Sequence, residues 1–202
     1  PMDQVLLRLS TKDLEVTGLA GTSIRSTNDI DTTRPDYGRM ERNFYGTQIK
    51  YTGIEKHEPF FFALFNEDQQ DENCPDYLRN YGYDSYYMGV GSTGELVNNL
   101  RYGSEWAFEG GHGYRDCWPA RKDNICAWAF DQIIEYLPRW RMQPRFTGEY
   151  MFASGDGDRR LSPTNVRGGN KDGKDTSFVG FGYRDTGLSF GPRLSNVHIW
   201  RT

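Results

Sequence analysis

Glu105 and Glu109, Asp131 and Glu135, and Glu149 stand at even spacings within three short segments of the chain. An even spacing keeps side chains on one face of a β-strand, so neighbouring segments of this kind would bring carboxylates within reach of one another. A carboxylate pair at a suitable separation could perform glycoside hydrolysis, one group acting as acid and the other as nucleophile or base. Basic residues share those faces, however: Arg101 with Glu105, Arg145 with Glu149, and Lys50 and Arg184 in segments of their own. Charges of both signs lining a polar lumen account for the pattern more simply than a catalytic pair.

Other combinations that could support chemistry are weaker. Gly89-Val90-Gly91-Ser92-Thr93-Gly94 has the spacing of a dinucleotide-binding turn, but Glu95 to Arg101 leads into an alternating run, not into a helix that could hold a pyrophosphate. A Gly-rich hairpin turn is the expectation there. His57, His112 and His198 lie in no nucleophile or metal motif. Cys117 and Cys126 could close a small disulfide ring in an oxidising compartment, leaving Cys74 over; three unpaired thiols are the alternative. Asp156, Asp158, Asp172 and Asp175, with Asn165 and Asn170, offer oxygen ligands suited to calcium. Their spacing is not that of an EF-hand, and five basic residues share the loop, so a solvated mixed-charge loop is expected. No cofactor, no metal site and no enzymatic activity are expected.

The elements that carry these residues alternate polar with aromatic. In Asn98 to Glu109, Leu100, Tyr102, Trp106 and Phe108 oppose Arg101, Glu105 and Glu109. In Asn124 to Tyr136, Trp128, Phe130, Ile134 and Tyr136 oppose Ala127, Ala129, Asp131 and Glu135; in Arg145 to Ala153, Phe146, Tyr150 and Phe152 oppose Arg145, Thr147 and Glu149. Gln4 to Leu9, Glu15 to Arg25, Asn43 to Gly53 and Thr176 to Arg184 repeat the pattern less cleanly. Pro59 to Phe65 and Asp84 to Val90 are aromatic on both faces, and Arg193 to Arg201 is ambiguous. About ten strands result, a number within the range of membrane barrels.

Connections between them alternate in length. Ser10 to Lys12, Glu55 to Glu58, Ser92 to Glu95, Pro138 to Gln143 and Asp185 to Pro192 are short; Ser26 to Arg42, Asn66 to Tyr81, Gly110 to Asp123 and Gly155 to Asp175 are long. Hairpins that zigzag across a bilayer leave tight turns on one side and long loops on the other. Long polar connections at every second position are uncommon in compact soluble domains.

Composition is compatible with that layout. Mean hydropathy is -0.78 with 26% charged residues, and no stretch approaches the run of about 20 apolar residues that a spanning helix needs. That does not exclude a barrel, in which only alternate strand residues meet lipid, and 15% aromatic residues with 23 glycines suit one. A net charge of -4 with dispersed basic residues argues against nucleic acid as a partner.

The stretch Gly148-Glu149-Tyr150-Met151-Phe152-Ala153-Ser154-Gly155-Asp156-Gly157-Asp158 resembles the alginate-export family of outer-membrane porins, as does Phe181-Gly182-Tyr183-Arg184-Asp185-Thr186-Gly187 and its continuation through Pro192-Arg193-Leu194-Ser195-Asn196. The likeness runs from about Asn98 onward. It implies a barrel of about eighteen strands that passes an anionic polysaccharide through an Arg-lined pore. Arg145, Glu149 and Arg184 lie in the matching stretches. The lumen face here is mixed, with Glu105, Asp131, Glu135 and Glu149 beside Arg8, Arg25, Lys50, Arg101, Arg145 and Arg184.

The expected fold is therefore all-β: an antiparallel up-and-down transmembrane β-barrel. Residues 1–202 would form a single region, a fragment of about ten strands of a larger barrel, incomplete at one or both ends. The expected function is an outer-membrane channel for small solutes or an anionic polysaccharide, with Lys50, Arg101, Glu105, Arg145, Glu149 and Arg184 lining the pore. Its partners would be membrane lipid, a saccharide solute, and a second copy or the remaining strands of the same barrel. A soluble or surface-exposed β-sandwich that binds carbohydrate through Trp106, Trp128 and Tyr150 is the alternative.

Overall fold

A computed structural model describes residues 2–25, 40–68, 83–117, 120–157 and 172–178. Among them there is no helix, and the strands are β1 (Met2–Ser10), β2 (Leu14–Arg25), β3 (Met40–Tyr51), β4 (His57–Asp68), β5 (Tyr83–Val97), β6 (Leu100–Cys117), β7 (Ala120–Tyr136), β8 (Phe146–Ala153) and β9 (Lys174–Asp175). The first eight follow one another across a single sheet, each antiparallel to the next, while β9 pairs with β7 in parallel. β1 and β8 form the two ends of that order, so the sheet is not closed. Because the order is up-and-down, the chain after β2, β4, β6 and β8 leaves from one end of the sheet. The connections at 11–13, 52–56, 98–99 and 137–145 lie at the other, the short-turn end.

Alternation fixes which side chains share a face. On the outer face, Val5, Ala20, Tyr45, Phe65, Tyr86, Gly110 and Cys126 lie in one hydrogen-bonded row from β1 to β7. Leu7, Gly18, Thr47, Ala63, Met88, Phe108 and Trp128 form the next row. Leu9, Val16, Ile49, Phe61, Val90, Trp106, Phe130 and Phe152 form the third, which reaches β8. Toward the long-loop end, the row above them turns polar: Asp3, Thr22, Asn43 and Glu67 on β1 to β4, and Asp84, His112 and Asn124 on β5 to β7. Toward β7 and β8 the apolar residues continue lower, through Ile134, Tyr136, Phe146 and Tyr150. The apolar band thus slides along the register from one side of the sheet to the other, as it must when strands are tilted relative to the band.

The inner face is built differently on its two halves. On β3 to β5, Phe44, Phe60, Phe62, Leu64 and Tyr87 are buried together. Glycine makes this packing fit: a Cβ on Gly89 would lie 2.3 Å from the Phe62 ring, and one on Gly91 would lie 2.3 Å from the Phe60 ring. The two rings therefore lie flat across β5. On β6 and β7 the inner face carries Glu105, Glu109, Asp123, Asp131 and Glu135, all buried. Phe178, just after β9, meets Tyr87 on β5 edge to face, with ring centroids 6.0 Å apart, although β6 and β7 intervene. The irregular chain after β9 therefore lies over the inner face of β6 and β7.

Several expected boundaries shift. Ser92 to Glu95 is not a turn: β5 runs through Val97, with a register irregularity between Glu95 and Val97, and the chain reverses at Asn98 and Asn99. Asn99 has φ 71, in the left-handed region that Asn tolerates better than most residues. The glycines that suggested a turn instead make room for rings. Gly110 to Asp123 is not a long loop either, because β6 and β7 stay paired up to Cys117 opposite Ala120. Its Gly-rich, polar sequence reads as loop, while its backbone remains paired. Arg145 stands just before β8, not in it. Of Thr176 to Arg184, residues 176–178 are irregular and the rest lie outside the described residues, as do Arg193 to Arg201 and most of the Gly155 to Asp175 loop.

Candidate functional site

The inner face is concave at the short-turn end, where a groove of about 780 Å³ lies between the β3–β4 connection and the start of β6. Its walls include Lys56, Glu58, Thr93, Glu95, Arg101, Gly103, Ile133, Glu135 and Arg145. Strand alternation delivers the charges there: Arg101 lies opposite Glu95 on one side and Glu135 on the other.

Ion pairs cross the sheet at this level. Arg8 pairs with Glu15 at 3.7 Å, Lys50 with Glu58 at 3.3 Å and Lys56 with Glu95 at 3.8 Å, and Arg145 pairs with Glu135. Glu95 is fixed further, its Oε1 accepting the Asn99 backbone N–H at 2.9 Å. Such partly exposed pairs contribute about 0 to 1 kcal/mol each. Their consequence is orientation, because each groove carboxylate named here is held against a cation. The Arg101 guanidinium has no hydrogen-bond or ion-pair partner among the described residues and is exposed to the groove. Its planar array of N–H donors is suited to two-point contact with a carboxylate or to a polar solute.

Above the groove the inner face closes. Glu105 and Asp131 lie opposite each other on β6 and β7, with exposures of 1% and 2%. Higher still, Asn66 donates from Nδ2 to Ser85 Oγ at 3.5 Å, Ser85 Oγ donates to Tyr87 OH at 3.4 Å, and Tyr87 OH donates to Glu109 Oε1 at 3.1 Å. That chain joins β4, β5 and β6 across the buried interior.

The expected pore-lining residues therefore separate. Arg101 and Arg145 come together in the groove, and Lys50 joins the neighbouring ion pairs on the same face. Glu149 is on the inner face of β8, opposite Ile133, and exposed. Glu105 is on the inner face but shut away from solvent, and Arg184 lies outside the described residues. Lys56, Glu58 and Glu95 were not expected at the site. They belong to a connection and to a strand end whose register no local pattern reveals.

The remaining candidates do not come together among the described residues; Cys74, Asp158, Asn165, Asn170 and His198 lie outside them. Cys126 is a free, exposed thiol opposite Gly110, so the ring with Cys117 does not form. Asp172 and Asp175 accept backbone N–H groups from Lys174 and Ser177, two residues on, and Asp156 accepts that of Thr176. Among the described residues no group of three or more His, Cys, Asp or Glu side chains could hold a metal ion. His57 is on the outer face, its Nδ1 3.1 Å from Tyr102 OH, which is 2.8 Å from Ser92 Oγ. No family model matches the chain, and neither a curated protein nor a solved structure matches it.

Proposed function

We propose that this chain forms part of the wall of a transmembrane β-barrel in an outer membrane, a porin-like channel whose solute path passes the groove at Arg101. One observation carries the reading, the inversion of the two faces: Trp106 and Trp128 are 51% and 43% exposed on the outside, while Glu105 and Asp131 are enclosed on the inside. A protein surrounded by water gains by covering large apolar side chains, about 25 cal/mol for each Å². Rows of aromatic and aliphatic residues left open across eight strands suit a lipid environment, and the polar row above them suits the headgroup boundary. Strands of 12 residues such as β2, β3 and β4 are long enough to cross when tilted.

The inner face supports a selective path, not a wide aqueous pore, because the buried aromatic residues on β3 to β5 narrow it above the groove. Arg101, with its neighbours in ion pairs, would be the fixed charge that an entering solute meets first. The solute is a small polar molecule or, as the resemblance to the alginate-export porins implies, an anionic polysaccharide. Expression with membrane fractionation tests the reading. The protein should stay with the membranes until detergent is added and should migrate differently on an unheated gel. Release by salt or alkaline washing, with no heat-dependent mobility, would sink the barrel and favour a soluble sheet.

A further inference from the structure

We propose that the β7–β8 connection, Leu137 to Arg145, is a docking surface for anionic phospholipid headgroups in the leaflet at the short-turn end; this rests on the barrel reading above. Its placement comes from packing. Trp140 lies edge to face on Phe146, ring centroids 6.2 Å apart, so the connection continues directly from the lower edge of the outer apolar band. Met142 beside it is 91% exposed. An exposed Trp and Met next to such a band fit the boundary between hydrocarbon and headgroups, where Trp is enriched.

Charge identifies the occupant. From Leu137 to Gly148 the sequence contains Arg139, Arg141 and Arg145 and no acidic residue, in a chain whose net charge is -4. Arg145 is committed to Glu135 on the inner face. Arg139 uses Nε to hold Asn99 Oδ1 at 3.3 Å, which leaves its terminal nitrogens to point elsewhere. Arg141 is exposed and makes no hydrogen bond or ion pair among the described residues. Two guanidinium groups flanking an interfacial Trp are complementary to lipid phosphates, which Arg engages through paired N–H donors. Among the described residues no other short connection concentrates charge this way: Lys12 stands beside Asp13, Lys56 beside Glu55, and Asn98 and Asn99 are neutral.

The test is electron spin resonance of the purified full chain reconstituted in phosphatidylcholine, with trace spin-labelled phosphatidylglycerol or phosphatidylcholine reporting the lipid held at the protein boundary. The parent protein should prefer the phosphatidylglycerol label several-fold, since each basic residue near a membrane surface favours anionic lipid by roughly fivefold. That preference should fall toward parity in Arg139→Gln/Arg141→Gln and in high salt, while the number of boundary lipids stays the same. An equal preference in parent and double variant overturns the headgroup site and leaves the barrel standing. If no label is held at the boundary at all, both the barrel and the headgroup site fall.

Discussion

In the β6–β7 hairpin, adjacent residues sit in opposite surroundings. Trp106 lies open on the outer face and stacks with Trp128, ring centroids 5.9 Å apart, while Glu105, one residue earlier, is enclosed opposite Asp131. Phe130 and Phe152 extend the aromatic side of the contrast, at 4.5 Å from Trp106 and 4.7 Å from Trp128. A water-soluble sheet would place these two sets the other way round, because exposed charges and buried rings each lower its free energy. The difference teaches that alternation alone is neutral about environment. It states that two faces differ, and only the burial of each states which solvent the protein has been built for.

The two faces should respond differently to loss of an aromatic ring. Phe62, on the inner face, is held among Phe60, Leu64 and the Gly89 backbone, so Phe62→Ala leaves a void that nothing can refill. It should destabilise the protein by about 3 to 5 kcal/mol, measured as urea unfolding in vesicles. If the outer face meets lipid as proposed, Phe108→Ala should cost much less, since lipid chains would occupy the vacated space. Equal losses at the two sites would mean that the outer face is also packed against protein.

A charge sharpens the same comparison. Tyr150→Arg places a guanidinium on the outer band of β8 and should cost about 2 to 4 kcal/mol in bilayers. In a soluble sheet the same exposed position would accept Arg at almost no cost. Unchanged folding into membranes would break the assignment of the outer face to lipid.

Much of this arrangement was legible in the sequence. Leu100 to Glu109 and Asn124 to Tyr136 announce their faces by strict alternation, and the structure places Trp106, Phe108, Trp128, Phe146, Tyr150 and Phe152 exposed on one side. Pro59 to Phe65 resisted because Phe60 and Phe62 point inward while Phe61 and Phe65 point outward, which is what a partly filled interior requires. Gly89 and Gly91 misled for a related reason. Glycine marks turns, but it also marks places where a ring from the next strand lies across the backbone, and only the register of β4 against β5 separates the two. The groove was half visible: Arg101 and Glu135 follow from alternation, whereas the Lys56 to Glu95 pair depends on where the β5–β6 turn falls. Gly89→Ala tests the glycine account. Its Cβ would meet the Phe62 ring and the Trp106 carbonyl oxygen, so a loss of about 1 to 3 kcal/mol is expected in thermal unfolding. Gly148→Ala, with nothing within 4 Å of its added Cβ, should be nearly neutral.

The smallest expected effect on stability belongs to the residue with the largest expected effect on transport. Arg101 and Arg145 line the same groove and carry the same charge, but only Arg145 is braced, by Glu135. Arg145→Gln removes that brace and should cost about 1 to 3 kcal/mol, because Arg145 itself is open to solvent while the Glu135 carboxylate left behind is buried. Arg101→Gln breaks no ion pair and should leave the unfolding midpoint where it is. Both variants remove one positive charge from the mouth, and in a constricted path bounded by low-dielectric walls a fixed cation raises the local concentration of anions. Planar-bilayer recordings under a salt gradient should therefore show the reversal potential moving toward cations in each variant, with the shift shrinking as the Debye length shortens in concentrated salt. Arg101→Gln with unaltered ion selectivity would place the solute path away from this groove. A shift in Arg145→Gln alone would mean that the buried carboxylate of Glu135, released from its partner, controls the mouth instead of Arg101.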